Sequence, residues 1–390
     1  MNDPRHPHTA NEPRMVNPAG SVVGNDHDAK IAGGDLLSPL TIRGVTLRNR
    51  IAVSPMCQFC AADGLADDWH LVHLGSRAVG GAGLVLTEAV AVTPTGRISP
   101  RDLGLWDDRH IEPLARIARF LDRMGAAAGI QLAHAGRKAS SPPPWEGGGS
   151  LNTPEQGGWP VVSASAIPFA EDRPVPRALD ESGIEDVTGA FVSAARRAVR
   201  AGFKVVELHA AHGYLFHQFL SPLSNRRTDG FGGSLENRMR LLVKVATAVR
   251  QALPGEVPLF VRISATDWVE GGWDIEQSVV LASALRQLGV DLIDTSSGGA
   301  IPNAKVPAGP GYQIPFAAEI RKRAGIMTGA VGLITEPHQA NEIITSGAAD
   351  LVLLAREMLR EPYWALKAQA ALDQEPSWPV QYSYAVRRHG

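Results

Sequence analysis

The sequence predicts a (β/α)8 barrel, and two patterns in it support that prediction. Between residues 51 and 356, eight short apolar, β-branched runs alternate with longer segments of helical period, which is the pattern of parallel βα units. The runs are almost continuously hydrophobic, as strands buried on both faces of a parallel sheet must be. Eight repeats over about 300 residues suit one barrel of this class.

Each run has the length of a strand, and a helical segment can be placed after most of them. The runs are IAVSP at 51–55, GLVLTEA at 83–89, GIQLAH at 129–134, KVVELH at 204–209, LFVRIS at 259–264, DLIDTS at 291–296, IMTGAV at 326–331 and LVLLAR at 351–356. Helical candidates lie at 109–124, 183–201, 234–252, 275–288 and 336–346. A doubly wound sheet is the alternative, but it normally carries a glycine-rich dinucleotide turn. The sequence contains neither GxGxxG nor a GxxxxGKS or GxxxxGKT loop.

Three segments lie outside this alternation. Residues 1–33 are rich in Asn, Asp, His, Pro and Gly and poor in large apolar residues, so we expect a disordered arm before a barrel domain at 34–375. An insert at 139–182, rich in Pro, Gly and Ser, follows the third run; it is either a surface loop packed on its own aromatics or, as we expect, a lid over the barrel mouth. Residues 376–390 form a tail that we place at a subunit interface.

Composition limits the possible partners. The chain has 390 residues and a formal net charge of -2, which argues against a nucleic-acid partner. No apolar run approaches the ~20 residues that span a bilayer, and no secretory signal is apparent. The two cysteines, Cys57 and Cys60, cannot form a disulfide framework or a four-thiolate cluster. We therefore expect a cytoplasmic protein acting on a small molecule.

Three polar aromatic residues, His209, His212 and Tyr214, stand at and just after the end of the fourth run. In a (β/α)8 barrel the C-terminal ends of the strands carry the active site. Two imidazoles and a phenol supply donors that can hold an anionic oxygen and give up a proton. These residues are the candidate catalytic groups.

The same two histidines also suit a packed turn or a metal site. A zinc site needs a third protein ligand, and Cys57, Glu207 or His134 could supply it. The prediction adopted is that the chain holds no metal.

Polar residues and glycines stand in or at the end of other runs. Gln131 lies in the third run and Arg262 in the fifth, where a buried guanidinium demands a partner. Gly329 and Gly332 end the seventh run, and Arg356 ends the eighth. Backbone N–H groups and a guanidinium can bind a phosphate, which predicts a phosphate site in this corner of the barrel.

Several long motifs resemble the Old Yellow Enzyme family of FMN-dependent ene-reductases, and in detail its thermophilic-type branch. The resemblance runs from about residue 36 to residue 382. The motifs are SPMCQF at 54–59, GRISPRDLGLW at 96–106, IQLAHAGRKAS at 130–140, ELHAAHGYLFHQFLSPLSNRRTDGFGGSLENR at 207–238, LFVRIS at 259–264, GVDLIDTSSG at 289–298 and TGAVG at 328–332.

The resemblance implies reduction of the activated C=C bond of an α,β-unsaturated carbonyl compound, with FMN as cofactor and NADPH or NADH as reductant. His209 and His212 are implied to donate hydrogen bonds to the carbonyl oxygen of the enone substrate. Tyr214 is implied to give a proton to the α-carbon while flavin N5 gives hydride to the β-carbon. A homo-oligomer, dimer or tetramer, is also expected.

The resemblance also assigns flavin contacts. Gln131 corresponds to the residue that grips the pyrimidine edge of the isoalloxazine, and Arg262 to the one beside flavin N1 and O2. Cys57 matches the thiol that touches the flavin and tunes its potential. The remaining residues implied to bind FMN are Pro55, Met56, Ala89, Gly329, Gly332, Ala355 and Arg356.

Two positions depart from the family pattern. Phe59 stands where the branch commonly has Tyr, so a substrate contact is kept without its hydroxyl. Tyr384 stands where many relatives have an Arg that reaches the neighbouring subunit's active site. The intersubunit contact of the tail is therefore open.

Other functions stay open at this stage. Iron–sulfur relatives need four clustered cysteines and a further domain. A flavin-free lyase or aldolase would need a Schiff-base lysine at the strand ends, and Lys204 and Lys138 are poorly placed for that role. A non-catalytic flavin-binding protein is the third alternative.

Overall fold

Eight parallel strands form a closed barrel in the computed structural model, which describes residues 33–147 and 149–386. The strands pair in sequence order, and the eighth pairs with the first. They are β1 Ile51–Val53, β2 Leu84–Ala91, β3 Ala127–Ala133, β4 Val205–Ala210, β5 Leu259–Ser264, β6 Leu292–Ser296, β7 Met327–Ala330 and β8 Leu351–Leu354. Each overlaps one of the eight predicted runs, so the (β/α)8 barrel is confirmed.

Helices connect the strands. They are α1 Asp68–Val79, α2 Ile111–Arg123, α3 Glu181–Arg200, α4 Leu215–Leu220, α5 Leu235–Ala252, α6 Ile275–Gln287, α7 Ile314–Ala324, α8 Pro337–Thr345, α9 Arg356–Arg360 and α10 Trp364–Ala371. Several begin where a side-chain oxygen accepts a backbone N–H of the first turn, as Asp180 does for α3, Ser234 for α5 and Asp274 for α6. The helical candidates at 109–124, 183–201, 234–252, 275–288 and 336–346 correspond to α2, α3, α5, α6 and α8.

A hairpin that the strand pattern did not predict closes the N-terminal end of the barrel. Strands Leu40–Ile42 and Val45–Leu47 pair antiparallel around a turn in which Arg43 has a φ of 50°. Their buried leucines belong to the same apolar cluster as Leu84, Leu292 and Leu351, which begin barrel strands. The N-terminal end of the barrel is therefore filled with apolar side chains. A functional site is expected at the C-terminal end.

The insert at 139–182 has structure of its own beside the C-terminal mouth. A short parallel pair, Val162–Ser163 and Arg177–Ala178, is its only regular sheet among the described residues. Trp159 Nε1 donates to the Thr95 carbonyl at 2.9 Å, and the Trp145 ring meets the Phe59 ring edge-on with centroids 5.9 Å apart. Its role as a lid stays a prediction.

The structure describes little of the two ends of the chain. Apart from Gly33, the expected disordered arm at 1–33 lies outside the described residues, as do the last four residues of the tail. Where the tail is described, Trp378 stacks on Tyr363 with ring centroids 6.0 Å apart. None of the helices in the described ranges has the length and apolar character needed to cross a membrane.

Candidate active site

Strand β4 delivers the candidate catalytic residues to the mouth of the barrel. Glu207 and His209 alternate with core residues along the strand, and both are buried. The chain then turns sharply at His212, whose φ of 59° is unusual for a residue with a side chain. The His209 ring lies 5.2 Å from the His212 ring and 4.9 Å from the Tyr214 ring, centroid to centroid. The three predicted catalytic side chains therefore form one cluster.

Hydrogen bonds fix both imidazoles. The backbone N–H of Ala211 donates to His209 Nδ1 at 3.3 Å, so the proton of a neutral ring lies on Nε2. His212 Nε2 lies 2.7 Å from Ser296 Oγ, and its backbone N–H donates to Ser264 Oγ at 2.9 Å. Burial, together with the nearby Arg262, holds the pKa of each imidazole well below its usual value. Both rings are therefore neutral.

The phenol of Tyr214 is half-buried beside the histidine pair. Burial raises its pKa above the usual range, and Cys57 and Asp102 act in the same direction. The ring packs against an apolar cluster that includes Val161 of the insert. The phenol is therefore protonated, which a proton donor requires.

A layer of polar side chains lies beneath this cluster, inside the barrel. Arg262 Nη1 donates to Ser54 Oγ at 3.0 Å, and Arg262 Nε lies 3.1 Å from Asp294 Oδ2. Gln131 Nε2 donates to Glu207 Oε1 at 2.8 Å. These contacts supply the partner that a buried guanidinium demands. Strands β3, β4, β5 and β6 each contribute one residue to the layer, and Ser54 directly follows β1.

The layer and the catalytic cluster enclose a cavity of about 280 Å³, here called the inner cavity. A register shift in β2 between Leu86 and Ala89 turns Ala89 toward this space. Burial raises the pKa of the Cys57 thiol well above its usual value, and the carboxylates of Asp102 and Glu88 add to that effect. The lining is Ser54, Pro55, Cys57, Phe59, Ala89, Ile98, Gln131, His209, His212, Tyr214, Arg262 and Ala355.

A second cavity of about 260 Å³, here called the outer cavity, lies beside it, and Ala355 lines both. Gly332 has a φ of 119°, and a Cβ there would lie 2.7 Å from Gln313 Nε2. This position therefore needs glycine, which lets the Gln313 amide pack closely against the cavity wall. The lining is Ser296, Tyr312, Gln313, Val331, Gly332, Leu333, Ile334, Thr335, Leu353, Ala355, Arg356, Glu357 and Arg360.

Two of the predicted flavin residues line neither cavity. A Cβ on Gly329 would lie 2.3 Å from Leu353 Cδ1, so this glycine allows β7 to pack against β8. Met56 packs in part against the core. Conversely, Tyr312, Gln313 and Arg360 line the outer cavity without having been predicted. Gln313 lies just before α7. It reaches the outer cavity only because the fold brings the loops after β6 and β7 together, which no local sequence pattern indicates.

The two cavities fit one FMN molecule. The inner cavity offers amide, guanidinium and apolar surfaces for a flat heteroaromatic ring, and the outer cavity offers two arginines and the glycine cradle for a terminal phosphate. The metal alternative has no such support at the histidines. In the described part of the chain, the side-chain clusters that could hold an ion are Cys60–Asp67–His70 and Cys57–Glu88–Asp102.

Comparisons with known proteins identify relatives of this chain. An NADPH dehydrogenase of Geobacillus thermodenitrificans (strain NG80-2) is 49% identical over 354 residues, which cover 90% of this chain and 98% of that protein. An NADH:flavin oxidoreductase of Gibberella zeae is 46% identical, covering 84% of this chain and 83% of that protein. Among solved structures, morphinone reductase superposes with a TM-score of 0.74 at 25% identity, over 93% of this chain and all of that one.

A second solved structure, morphinone reductase in complex with tetrahydroNAD, has a TM-score of 0.72 at 26% identity over 88% of this chain and 93% of that one. This chain is accordingly an FMN-dependent NAD(P)H oxidoreductase of the Old Yellow Enzyme type. Residues 35–375 match the NADH:flavin oxidoreductase / NADH oxidase family as a whole, and the chain belongs to that family.

Proposed function

We propose that this enzyme reduces the activated C=C bond of α,β-unsaturated carbonyl compounds. One observation supports this more than any other: two neutral imidazoles, His209 buried and His212 half-buried, and a protonated phenol meet over the inner cavity. FMN, when bound, would accept hydride from NAD(P)H and pass it to the β-carbon of the alkene. The protein's own residues must then stabilise charge on the substrate oxygen and supply a proton.

His209 and His212 are proposed to hold the substrate carbonyl oxygen. Because the rings are neutral, each can donate one hydrogen bond without titrating near neutral pH. His209 is already in the tautomer that carries its proton on Nε2. Donors fixed in advance in a site of low dielectric stabilise charge as it develops on that oxygen.

Tyr214 is proposed to deliver the proton to the α-carbon. Its raised pKa keeps the proton on the phenol until a strongly basic carbon appears beside it. The buried ring leaves an unfavourable phenolate once the proton has been transferred, so reprotonation from solvent must complete the cycle.

The flavin contacts are proposals of the same kind. Gln131, Arg262, Pro55, Cys57, Ala89 and Ala355 would hold the ring in the inner cavity, while Gly332 and Arg356 would hold the phosphate in the outer one. We add Arg360 to the phosphate site because it lines that cavity. Phe59 is proposed as a substrate contact, and Trp145 of the insert, which packs against it, would let the insert act as a lid.

The proposal is tested with the FMN-loaded protein under anaerobic conditions. NADPH oxidation is followed with and without 2-cyclohexenone, and cyclohexanone is quantified against NADPH consumed. We expect one cyclohexanone per NADPH. Oxidation that needs no enone, or that yields no cyclohexanone, would support a flavin-binding protein with another task. A homo-oligomer with the tail at its interface stays a prediction, and sedimentation velocity checks it.

A further inference from the structure

We propose that Lys138 is a positioning residue: it holds the His212 carbonyl and thereby fixes the histidine pair and Tyr214 against the substrate. This inference rests on the proposed function of the histidine pair. Lys138 contacts the backbone of the loop after β4, here called the catalytic loop, which carries His212 and Tyr214. It lines neither the inner nor the outer cavity.

The contact comes from a tight turn after β3. Residues Gly136–Lys138 form one turn of 3-10 helix, and Gly136 has a φ of 59°. A Cβ on Gly136 would lie 2.2 Å from Gln218 Oε1, so the turn is pressed against α4. This placement aims Lys138 across the mouth of the barrel. Its Nζ donates to the His212 carbonyl at 2.8 Å and to the Gly299 carbonyl at 3.4 Å.

His212 needs such support because its backbone conformation is strained. A left-handed φ is unfavourable in a residue with a side chain and persists only where neighbours enforce it. Ser264 holds the His212 backbone N–H, and Ser296 contacts the ring. Lys138 holds the carbonyl of the peptide that joins His212 to Gly213, and the N–H of that peptide donates to His217 Nδ1 at 2.8 Å. Loss of the lysine removes the hydrogen bond on the carbonyl side of this peptide, so the strained turn loosens and the imidazole shifts.

The same ammonium also faces the proton donor. Lys138 Nζ lies 5.2 Å from the centroid of the Tyr214 ring and 4.5 Å from that of Phe169 in the insert. Cation–π contacts of this kind orient an aromatic ring. The neighbouring Arg137 donates to the Ala300 carbonyl at 2.7 Å. The turn thus joins the loops after β4 and β6 to the insert, and Lys138 is the member that touches the catalytic loop.

The charge of Lys138 is sensitive to pH. Burial, together with the nearby Arg137 and Arg173, lowers the pKa of this lysine to about 8. The ammonium is therefore present below about pH 8 and is lost above it. A neutral amine donates weaker hydrogen bonds and makes no cation–π contact. The titratable and charged groups around it are Arg137, Arg173, His209, His212 and Tyr214.

The experiment compares Lys138→Met, Lys138→Arg and the surface control Lys322→Met, all loaded with FMN. Phenol binding is titrated through the flavin absorption change, and reoxidation of the reduced enzyme by 2-cyclohexenone is measured by stopped flow from pH 6.5 to 9.5. Lys138→Met should weaken phenol binding and slow reoxidation at every pH, by up to about 10²-fold for a misplaced group. Lys138→Arg should restore most of the phenol affinity and most of the reoxidation rate at pH 7. Lys322→Met should match the wild type in both measurements.

The pH profile separates positioning from a merely structural role. Wild-type reoxidation should fall above about pH 8, and Lys138→Arg should move that fall to higher pH because a guanidinium stays charged. Glu207 is the rival group, because its pKa is also about 8. If the fall in reoxidation rate persists in Lys138→Arg and disappears in Glu207→Gln, the fall belongs to Glu207 and the inference is overturned. Wild-type phenol affinity and reoxidation in a folded Lys138→Met would overturn it as well. Failure of the wild type itself to reduce the enone would instead count against the proposed function.

Discussion

Gln131 Nε2 donates a hydrogen bond to Glu207 Oε1 at 2.8 Å inside the barrel. The amide that is expected to grip the flavin is thus itself held by a carboxyl group. Burial and the repulsion of Asp294, which Arg262 and Gln131 oppose in part, raise the pKa of Glu207 to about 8. Asp294 lies nearer to the guanidinium, at 3.1 Å, so Glu207 is the carboxyl that stays protonated at neutral pH.

This protonation makes stability depend on pH. The pKa of Glu207 is near 4.5 in the unfolded chain and about 8 in the folded one. Between those values the folded state binds a proton that the unfolded state lacks, so the free energy of unfolding falls as pH rises, by up to about 1.4 kcal/mol per pH unit. Glu207→Gln keeps an acceptor for Gln131 and removes the proton. We expect the variant to gain stability relative to the wild type as pH rises from 5 to 8.

Thermal unfolding of both proteins without added flavin checks this, because titrating groups remote from Glu207 cancel in the difference. Glu185→Gln, which alters an exposed partner of Lys244, is the control and should show no such trend. A wild-type minus variant difference that is flat across this range would mean that Glu207 is ionised in the folded protein.

The fold could be predicted from sequence because strands buried on both faces consist almost entirely of apolar residues. The run LFVRIS at 259–264 coincides with β5, and its single charged residue, Arg262, already demanded a buried partner. The hairpin formed by 40–47 was missed because two strands of three residues give almost no periodic signal. Only its packing against strand ends that are distant in sequence makes it part of the core.

The site was predictable in part for the same reason. His209, His212 and Tyr214 are close in sequence, so one turn brings their rings together. Gln313 belongs to the outer cavity through contacts that no local pattern encodes: it accepts from Ser297 Oγ at 2.6 Å and donates to the Val331 carbonyl at 3.0 Å. The support that Lys138 gives to His212 is likewise a contact between two loops.

Gly332 provides a test of the phosphate site. Gly332→Ala places a Cβ 2.7 Å from Gln313 Nε2 at a φ of 119°, which strains the loop and narrows the outer cavity. We expect weaker FMN retention, seen as a lower flavin-to-protein ratio after gel filtration and a higher Kd in fluorescence titration. Gly309→Ala is the control, because a Cβ there meets nothing within 4 Å.

Cofactor identity can be read from the same preparations by heat release and chromatography. We expect FMN from the wild type. Recovery of FAD would contradict a site built for one terminal phosphate, and full retention of FMN by Gly332→Ala would place the phosphate elsewhere.

The histidine pair provides a third prediction. Replacing either His209 or His212 with Ala removes one donor to the developing oxyanion, which typically costs about 2.7–4 kcal/mol in the transition state. Phenols should also bind more weakly, because a phenolate mimics the substrate oxygen. Since the pKa of both rings lies well below 6.5, wild-type phenol affinity should not change between pH 6 and 7. His338→Ala, on an exposed face of α8, is the control; unchanged turnover and phenol affinity in both site variants would refute the assignment.

Tyr214 separates the two half-reactions. NADPH passes hydride to the flavin without a proton from this phenol, whereas reduction of the alkene requires a proton at the α-carbon. Tyr214→Phe keeps the ring that packs against His209 and Lys138 and removes only the acidic proton. We therefore expect flavin reduction by NADPH to stay near the wild-type rate and reoxidation by 2-cyclohexenone to slow by about 10²–10⁴-fold. Stopped-flow measurement of each half-reaction is the test, and Tyr363→Phe is the control. If flavin reduction by NADPH collapses in Tyr214→Phe while reoxidation by the enone is unchanged, Tyr214 serves the nicotinamide and not the alkene.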